Sequence, residues 1–327
     1  MIVFFLYLLA SIILTFLILK YPYKLGEYFN LVDLSEGSKL KIHKKNTSVL
    51  GGFIILILVF NFYFYEAYTT GFIVKSFSIY LLFFSFFLIG LLDDYLDINP
   101  LTRIFLYSLT CYISLRLNND LIIEKFYSEL LDQHILTEPI AIFFTIFCFI
   151  FLQNILNMFD GINGSLSTYL LTVLLILLCI SFSLFKFSLF IIILFILYWN
   201  LNDKIFLGNN GASVISSIFG FLLISMHDNN PILLSAEKII ILFCIPLLDL
   251  SRLFIIRILN NKSPFEGDLD HFHHLILSKF HPKVWVPLLS SFIILCFSAS
   301  LFINSYFIII FISISYLFLI KKFKVRD

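Results

Sequence analysis

Residues 1–20 read MIVFFLYLLASIILTFLILK, and this apolar run predicts a helix long enough to cross a bilayer. It has no basic leader and no plausible cleavage site, so we expect a retained first span rather than a signal peptide. Further apolar runs predict an all-α, polytopic transmembrane helical bundle of about 11 spans, or 10 if the last two runs are one. These runs cover about residues 50–66, 77–92, 101–117, 139–156, 166–184, 187–201, 211–226, 236–256, 285–302 and 304–320.

The composition supports the same class. Apolar residues make up 60% of the 327 residues and charged residues 13%, which leaves too little polar residue for the surface of a soluble protein of this size. We therefore predict a single integral-membrane domain over residues 1–327. The formal net charge of +1 argues against a nucleic-acid-binding surface. The five cysteines lie singly inside apolar runs, which favours small buried residues over disulfides or a zinc site.

The basic residues predict how the spans are oriented. When eleven spans are threaded, 17 of the 22 Lys and Arg residues fall on one side. By the positive-inside rule that side is cytoplasmic, so the N-terminus is expected outside and the C-terminus in the cytoplasm. On the outer side, residues 118–138 are expected to form a short amphipathic surface helix. The cytoplasmic loops that would form the active face are 20–49, 93–100, 154–165, 202–210 and 257–284.

Three acids, Asp93, Asp94 and Asp97, close the third span in the sequence LLDDYLDINP. On a helix Asp93 and Asp97 share a face, and Asp94 is turned about 100° away. Neighbouring carboxylates repel each other unless a cation lies between them, and hard oxygen ligands suit Mg²⁺. The cluster therefore indicates a Mg²⁺ or phosphate-chemistry site, with solvated acids at a helix end as the alternative.

Asn154, Asn157 and Asp160 recur at every third position of the sequence NILNMFDGINGS. This spacing puts the three side chains on one side of a helix end. Gly161 and Gly164 follow and can form a turn whose amides approach a diphosphate. The alternative is a set of polar residues that hydrogen-bond between helices.

Two glycine-containing segments lead into predicted spans. HKKNTSVLGG, residues 43–52, is a basic loop that can hold a phosphate or anchor the chain to anionic lipid. GNNGAS, residues 208–213, precedes a helix N-terminus, a geometry that suits anions, although a plain turn explains it equally well. The basic candidates in and just before the first segment are Lys41, His43, Lys44 and Lys45.

The densest polar segment is residues 246–274, PLLDLSRLFIIRILNNKSPFEGDLDHFHH. Charge is costly in a membrane-embedded chain, so such a concentration indicates function. Clustered histidines beside arginines suit a polyanionic substrate, whereas zinc would need a fourth ligand that does not follow at the usual spacing. The candidate substrate-binding residues here are Arg252, Arg257, Asp268, His271, His273 and His274.

In their order and spacing these clusters resemble the polyprenyl-phosphate N-acetylhexosamine-1-phosphate transferases, from His43 to His274. Asp93 and Asp94 match the acidic pair of that family, and residues 154–164 match its NxxNxxDGxxG signature. The H-x-H-H ending resembles the branch that includes undecaprenyl-phosphate GlcNAc-1-phosphate transferases and initiates O-antigen, teichoic-acid or similar glycans. It is less similar to the peptidoglycan branch, which acts on UDP-MurNAc-pentapeptide.

The resemblance implies a Mg²⁺-dependent enzyme, with Mn²⁺ as an alternative ion, in the bacterial inner membrane with its active site facing the cytoplasm. It would transfer N-acetylhexosamine-1-phosphate from a UDP-N-acetylhexosamine to undecaprenyl phosphate and release UMP, either alone or as a homodimer. The implied catalytic residues are Asp93, Asp94 and Asp160, and the implied metal ligands are Asp94, Asp160 and Asn209. The implied substrate-binding residues are Lys41, His43, Lys44, Lys45, Asn154 and Asn157, together with those of residues 246–274 given above.

Three positions depart from the family pattern. Asn209 stands where the family has an aspartate that binds Mg²⁺, with Ala212 in place of a serine, and Leu269 replaces an arginine. An Asn carbonyl can coordinate Mg²⁺ but brings no charge. These departures leave two alternatives open: a catalytically weak enzyme, or an inactive member that binds polyprenyl phosphate. A transporter is a further alternative, because intramembrane acids and histidines also occur in that class.

Overall fold

The computed structural model describes residues 2–33, 46–71, 74–263, 271–272, 275 and 282–324. Within these residues each of the eleven predicted apolar runs forms a helix, and one short helix, α2, was not anticipated. The helices are α1 (Ile2–Lys20), α2 (Pro22–Tyr28), α3 (Gly51–Thr70), α4 (Val74–Leu96), α5 (Pro100–Leu117), α6 (Ala141–Phe159), α7 (Ser165–Ile180), α8 (Leu184–Asn200), α9 (Gly208–Asn229), α10 (Ala236–Leu259), α11 (Pro282–Ala299) and α12 (Ser305–Lys324).

The bundle is that of a multi-pass membrane protein, which confirms the predicted fold class. Seven helices in the described part of the chain are long and apolar enough to cross a membrane: α1, α3, α4, α6, α9, α10 and α12. The apolar helices α7 and α8 and the 287–299 part of α11 are shorter. The count of eleven spans and the sides of the two termini stay predictions.

Several helices begin where the sequence supplies a capping side chain. The Asn99 side chain accepts a hydrogen bond from the Leu101 amide at 2.9 Å, and Pro100 occupies the first helical position of α5. Ser183 and Ser235 accept in the same way at the starts of α8 and α10. The start of α9 differs, because Leu207 precedes it and offers no capping side chain.

Helix α9 is the centre of the bundle. In its span 83% of the residues are buried, against at most 44% for the six other long spans. It packs against α3, α4 and α6. The hydroxyl groups of two interior serines are hydrogen-bonded within the helix: Ser216 and Ser217 donate to the carbonyls of Ser213 and Val214. Because α3, α4 and α6 all pack against α9, the position of α9 determines where these three helices lie.

The predicted surface helix over residues 118–138 is wrong. After one 3₁₀ turn (Asn119–Leu121) the chain forms an antiparallel hairpin of β3 (Lys125–Ser128) and β4 (Gln133–Leu136). Its turn is held by Glu237, whose carboxylate accepts the Ser128 hydroxyl and the amides of residues 129 and 130. His227 accepts the Tyr127 amide at 3.0 Å. These partners lie about 100 residues away in sequence, so local periodicity could not reveal them.

A second pair of strands joins the segment before α3 to the segment before α9. The strands β1 (Val32–Asp33) and β2 (Thr47–Ser48) pair antiparallel, and Ser48 also bridges to Ile205. The Phe206 amide donates to the Ser48 carbonyl at 2.8 Å, and the Gly51 amide donates to the Phe206 carbonyl at 3.0 Å. These bonds fix the starts of two helices beside each other.

The packing of α4 against the start of α9 can be tested by a substitution at Gly90 of α4. A Cβ at Gly90 would lie 2.4 Å from the Asn209 carbonyl oxygen. Alanine is the better helix former by about 1 kcal/mol, yet overpacking costs about 1–3 kcal/mol. We therefore expect Gly90→Ala to lower the thermal unfolding midpoint of the detergent-solubilised protein.

The control for this experiment is Leu88→Ala, a truncation on the same helix at a side chain that is 39% exposed. It should change the midpoint less than Gly90→Ala. A Gly90→Ala protein as stable as the parent would contradict the close approach of α4 and α9.

Candidate active site

Two acids from separate motifs meet at the N-terminus of α9. The Asp94 carboxylate accepts the Asn209 amide at 3.0 Å through Oδ1 and the Asn210 amide at 2.9 Å through Oδ2. The Gly208 amide donates to the carboxylate of Asp160, the residue that ends α6. The first three amides of a helix have no partner within the helix, and carboxylates stabilise this positive end. Asp94 and Asp160 thus cap α9 from outside.

Asn210 connects this cap to α3. It is fully buried, and its Oδ1 accepts the Gly52 amide at 2.9 Å while Nδ2 donates to the Val49 carbonyl at 3.1 Å. Its Nδ2 also donates to Asp94 Oδ2 at 2.5 Å. All the polar atoms of this amide side chain are therefore satisfied inside the protein.

The glycines of the two glycine-containing segments serve close packing. Gly208 has a φ of +70°, and a Cβ there would lie 1.9 Å from Val49 Cγ1. A Cβ at Gly52 would lie 2.0 Å from Asn210 Oδ1. GNNGAS forms the first residues of α9 itself, and the anions at this helix N-terminus are the protein's own carboxylates.

The two carboxylates carry like charge and have no basic partner in the described part of the chain. Burial and then the charge of Asp94 raise the pKa of Asp160 well above its usual value, although the hydrogen bond from Gly208 opposes this shift. A divalent cation between the carboxylates would relieve their repulsion, and oxygen ligands suit Mg²⁺. The donor chemistry of Asp94 and Asp160 therefore fits such an ion.

The predicted third ligand, Asn209, lies beside the two acids. Its backbone amide donates to Asp94 Oδ1. Among the described residues no group of three or more His, Cys, Asp or Glu side chains could hold a metal ion. A metal here would thus rest on two charged ligands and one neutral amide.

Asp93 is engaged elsewhere. Its Oδ2 accepts Arg103 Nη1 at 2.6 Å in a buried ion pair, and its Oδ1 accepts the Ile98 amide at 3.1 Å. Asp93 therefore fixes the corner between α4 and α5. Arg103 was not among the site residues predicted from the sequence, and its pairing with Asp93 is evident only from the fold. A catalytic role for Asp93 stays a prediction.

The polar face of α6 is only partly as predicted. Asn154 Nδ2 donates to the Ile150 carbonyl of its own helix at 2.9 Å, and the Asn157 carbonyl accepts the Asp160 amide at 3.3 Å.

Gln153, also on α6, was overlooked in the sequence. It is 1% exposed, and neither of its side-chain polar atoms has a partner among the described residues. On a helix Gln153 shares the face of Asn157 and Asp160.

A second cluster surrounds Asp249 of α10. Its carboxylate accepts Arg252 Nη2 at 2.8 Å, the Tyr316 hydroxyl at 2.8 Å and the Phe272 amide at 3.1 Å. His271 Nδ1 lies 3.1 Å from Asp249 Oδ2. Asp249 thereby ties residues 271–272 to α10 and α12. Arg252 and His271 come together as predicted, but around an acid that the sequence analysis did not include among the site residues.

The remaining predicted site residues are distributed as follows. Arg257 is buried one turn further along α10 than Arg252. Its role in binding substrate stays a prediction. The residues that lie outside the described part of the chain are Lys41, His43, Lys44, Lys45, Asp268, Leu269, His273 and His274.

Comparison with known proteins supports the resemblance found in the sequence. Residues 76–227, from α4 to α9, match the profile of glycosyl transferase family 4. A phospho-N-acetylmuramoyl-pentapeptide-transferase of Prochlorococcus marinus subsp. pastoris is 40% identical over 101 residues. This match covers 28% of the present chain and 25% of the relative. These two matches support the relationship to the polyprenyl-phosphate hexosamine-1-phosphate transferases over part of the chain, and the branch stays a prediction.

The raised pKa of Asp160 predicts a pH-dependent stability. The folded protein holds this proton to higher pH than the unfolded chain does, so the contribution of Asp160 to stability is lost as pH rises from the usual value of 3.8 through the raised pKa. In EDTA we expect the thermal midpoint to fall over this window, and to fall less in Asp160→Asn.

Mg²⁺ added at the upper end of the window should restore the midpoint of the parent and leave Asp160→Asn unchanged. The control is Asp97→Asn, an exposed acid directly after α4 whose φ of +48° suits Asn equally well. Parallel pH profiles for the parent and Asp160→Asn would contradict the shifted pKa.

The Asp249 cluster predicts unequal effects of two substitutions. Asp249→Asn removes the carboxylate charge that contacts Arg252 directly, and breaking such a pair from one side costs on the order of 3–5 kcal/mol. Tyr316→Phe, the matched control, removes one hydrogen bond and should cost about 1 kcal/mol. Denaturant unfolding measures both, and limited proteolysis should show earlier cleavage within residues 257–284 in Asp249→Asn. Equal effects of the two substitutions would refute the anchoring role of Asp249.

Proposed function

We propose that this chain transfers N-acetylhexosamine-1-phosphate, or a related amino-sugar-1-phosphate, from a UDP-sugar to undecaprenyl phosphate and releases UMP. The product would begin a lipid-linked glycan of the cell envelope. The observation that carries the proposal is the meeting of Asp94 and Asp160 at the start of α9, inside the segment that matches glycosyl transferase family 4. The membrane bundle supports a lipid acceptor. We assign the enzyme to the bacterial inner membrane, with this end of the bundle facing the cytoplasm.

Asp94 and Asp160 would hold Mg²⁺, with the Asn209 carbonyl as a neutral third ligand. Bound there, the ion supplies the positive charge that a nucleotide diphosphate and a departing UMP require. The α9 amides that could otherwise bind a phosphate are already occupied by the two acids. Substrate binding at this end of α9 therefore depends on a cation.

The acceptor phosphate needs little activation by the protein. A phosphate monoester has a second pKa of about 6 and is largely ionised near neutral pH. Asp93 is bound to Arg103, so we assign it to positioning rather than to removal of a proton. Lys41, Lys44 and Lys45 would hold the lipid phosphate, and His43 lies in the same loop.

The donor would be held by residues of the segment 246–274. Arg252 and His271 are fixed relative to α10 through Asp249, which orders two potential phosphate contacts before substrate arrives. Arg257 and, in the same segment, Asp268, His273 and His274 complete the proposed set. Asn154 and Asn157 precede Asp160 on α6 and would border the donor.

A catalytically weak or inactive protein that binds polyprenyl phosphate is the second candidate. It is favoured by Asn209, because only two carboxylates remain at the proposed metal site among the described residues. Loss of one anionic ligand lowers the affinity for Mg²⁺.

The deciding experiment measures UMP release by purified protein in detergent with undecaprenyl phosphate, a panel of UDP-N-acetylhexosamines and titrated Mg²⁺. We expect release that requires both lipid and metal, and that falls at least 100-fold in Asp94→Asn and Asp160→Asn. Asn209→Asp should lower the Mg²⁺ concentration at half-maximal rate, because it restores a charged ligand.

Asp97→Asn is the matched control and should retain the rate of the parent, since this acid is exposed and lies outside the proposed metal site. Full activity in Asp160→Asn would exclude the proposed metal site. A folded parent that releases no UMP, with activity gained in Asn209→Asp, would establish the second candidate.

A further inference from the structure

A cavity of about 410 Å³, lined by apolar and polar side chains, lies at the end of the bundle opposite the two acids. Helix α9 starts at Gly208 beside Asp94 and ends at Asn229, which lines this cavity some 33 Å away at 1.5 Å per residue. The volume falls in the range of about 300–1,000 Å³ that small-molecule sites occupy. The proposed transferase function makes no use of this cavity.

One wall of the cavity carries a buried cation. Lys186 of α8 is 2% exposed, and its ammonium donates to the Leu177 carbonyl at 3.1 Å and to Ser181 Oγ at 2.8 Å. It also donates to the Ser181 carbonyl. All of these acceptors are neutral, and Lys186 has no ion-pair partner among the described residues. Its hydrogen bonds are therefore satisfied, but its charge is not neutralised by direct contact.

The same cavity is lined by an acid from another helix. Glu66 of α3 is partly buried, and the Tyr80 hydroxyl donates to its Oε2 at 3.1 Å. Within the described residues Oε1 accepts no hydrogen bond, and no Lys or Arg forms an ion pair with Glu66. The Lys186 ammonium and the Glu66 carboxylate thus line one cavity without forming an ion pair. A ligand with an anionic and a cationic group would stabilise both charges.

The rest of the lining is amphipathic. Four aromatic rings, from Phe62, Phe83, Phe185 and Phe221, contribute apolar surface. Hydroxyl and amide groups of other lining residues, Ser76 and Asn230 among them, add hydrogen-bonding groups. A ligand that fits both features has a compact polar head and tolerates apolar contact.

We propose that this cavity binds a zwitterion, with a primary ammonium at Glu66 and an anionic phosphate group oriented toward Lys186. The ammonium donates to the Glu66 carboxylate, and the field of Lys186 stabilises the phosphate without breaking the bonds to Ser181. The phosphoethanolamine headgroup of a membrane lipid and free phosphoethanolamine share this chemistry. The site is independent of the proposed transferase reaction.

The test uses delipidated protein in detergent and native mass spectrometry. The probes are dioleoyl phosphatidylethanolamine, dioleoyl phosphatidylglycerol, which has the phosphate but no ammonium, and soluble phosphoethanolamine. We expect phosphatidylethanolamine to bind at least tenfold more tightly than phosphatidylglycerol. Glu66→Gln, which retains an acceptor for Tyr80, should remove this preference.

Lys186→Gln is the second variant, because a carboxamide can still donate to Ser181 while the charge is lost. It should weaken binding of both phospholipids. Glu138→Gln, an exposed acid on the same end of the bundle, is the matched control and should bind as the parent does.

The outcomes separate the sources of the ligand. Binding of soluble phosphoethanolamine that depends on Glu66 and competes with the lipid assigns the site to the headgroup alone. Binding of the lipid without the soluble compound, again dependent on Glu66, assigns it to a membrane phospholipid. Equal affinity for the two phospholipids, or a preference unchanged in Glu66→Gln, overturns the proposal.

Discussion

The carboxylate of Asp94 at the first turn of α9 is the interaction on which the rest of the structure depends. Helix α9 is the most buried of the long spans, and it begins without a capping side chain of its own. Asp94 provides that cap from α4, and Asn210 extends the same network to the start of α3. In a membrane-embedded bundle water does not replace such bonds easily. One acid thereby holds the starts of α3 and α9 against the end of α4, and with them Asn209.

This arrangement explains why the glycine segment at the start of α9 does not form an anion site by itself. A helix N-terminus attracts anions through its free amides and its dipole. At α9 these amides already have anionic partners within the protein, and the closeness of α3, α4 and α9 leaves no room beside Gly52 or Gly208. Asp94 and Asp160 bring two acids to this helix end instead, so the chemistry of the site suits the proposed cation better than a free phosphate.

The helices were predictable from the sequence because apolar length alone specifies a spanning helix. The convergence of Asp94, Asp160 and Asn209 was also predicted, although from the order of motifs in a family and not from spacing. The hairpin of residues 125–136 was missed because Glu237 and His227 hold it from more than 90 residues away. The role of Asp249 was missed for the same reason, since Tyr316 and Phe272 become its partners only through the fold.

Among the described residues, the charged clusters differ in whether each acid contacts a basic side chain directly. Asp93 is neutralised by Arg103, and Asp249 lies against Arg252, so each acid is compensated by a cation in direct contact. A compensated pair gains little from a further ion, because new partners must first replace those already present. Asp94 and Asp160 are the opposite case: both are acids, the charge of Asp94 raises the cost of ionising Asp160, and the hydrogen bonds they accept come from amide groups. The proposed divalent cation would therefore gain more at this pair than at the other two acids, and the neutral Asn209 beside it would set how much.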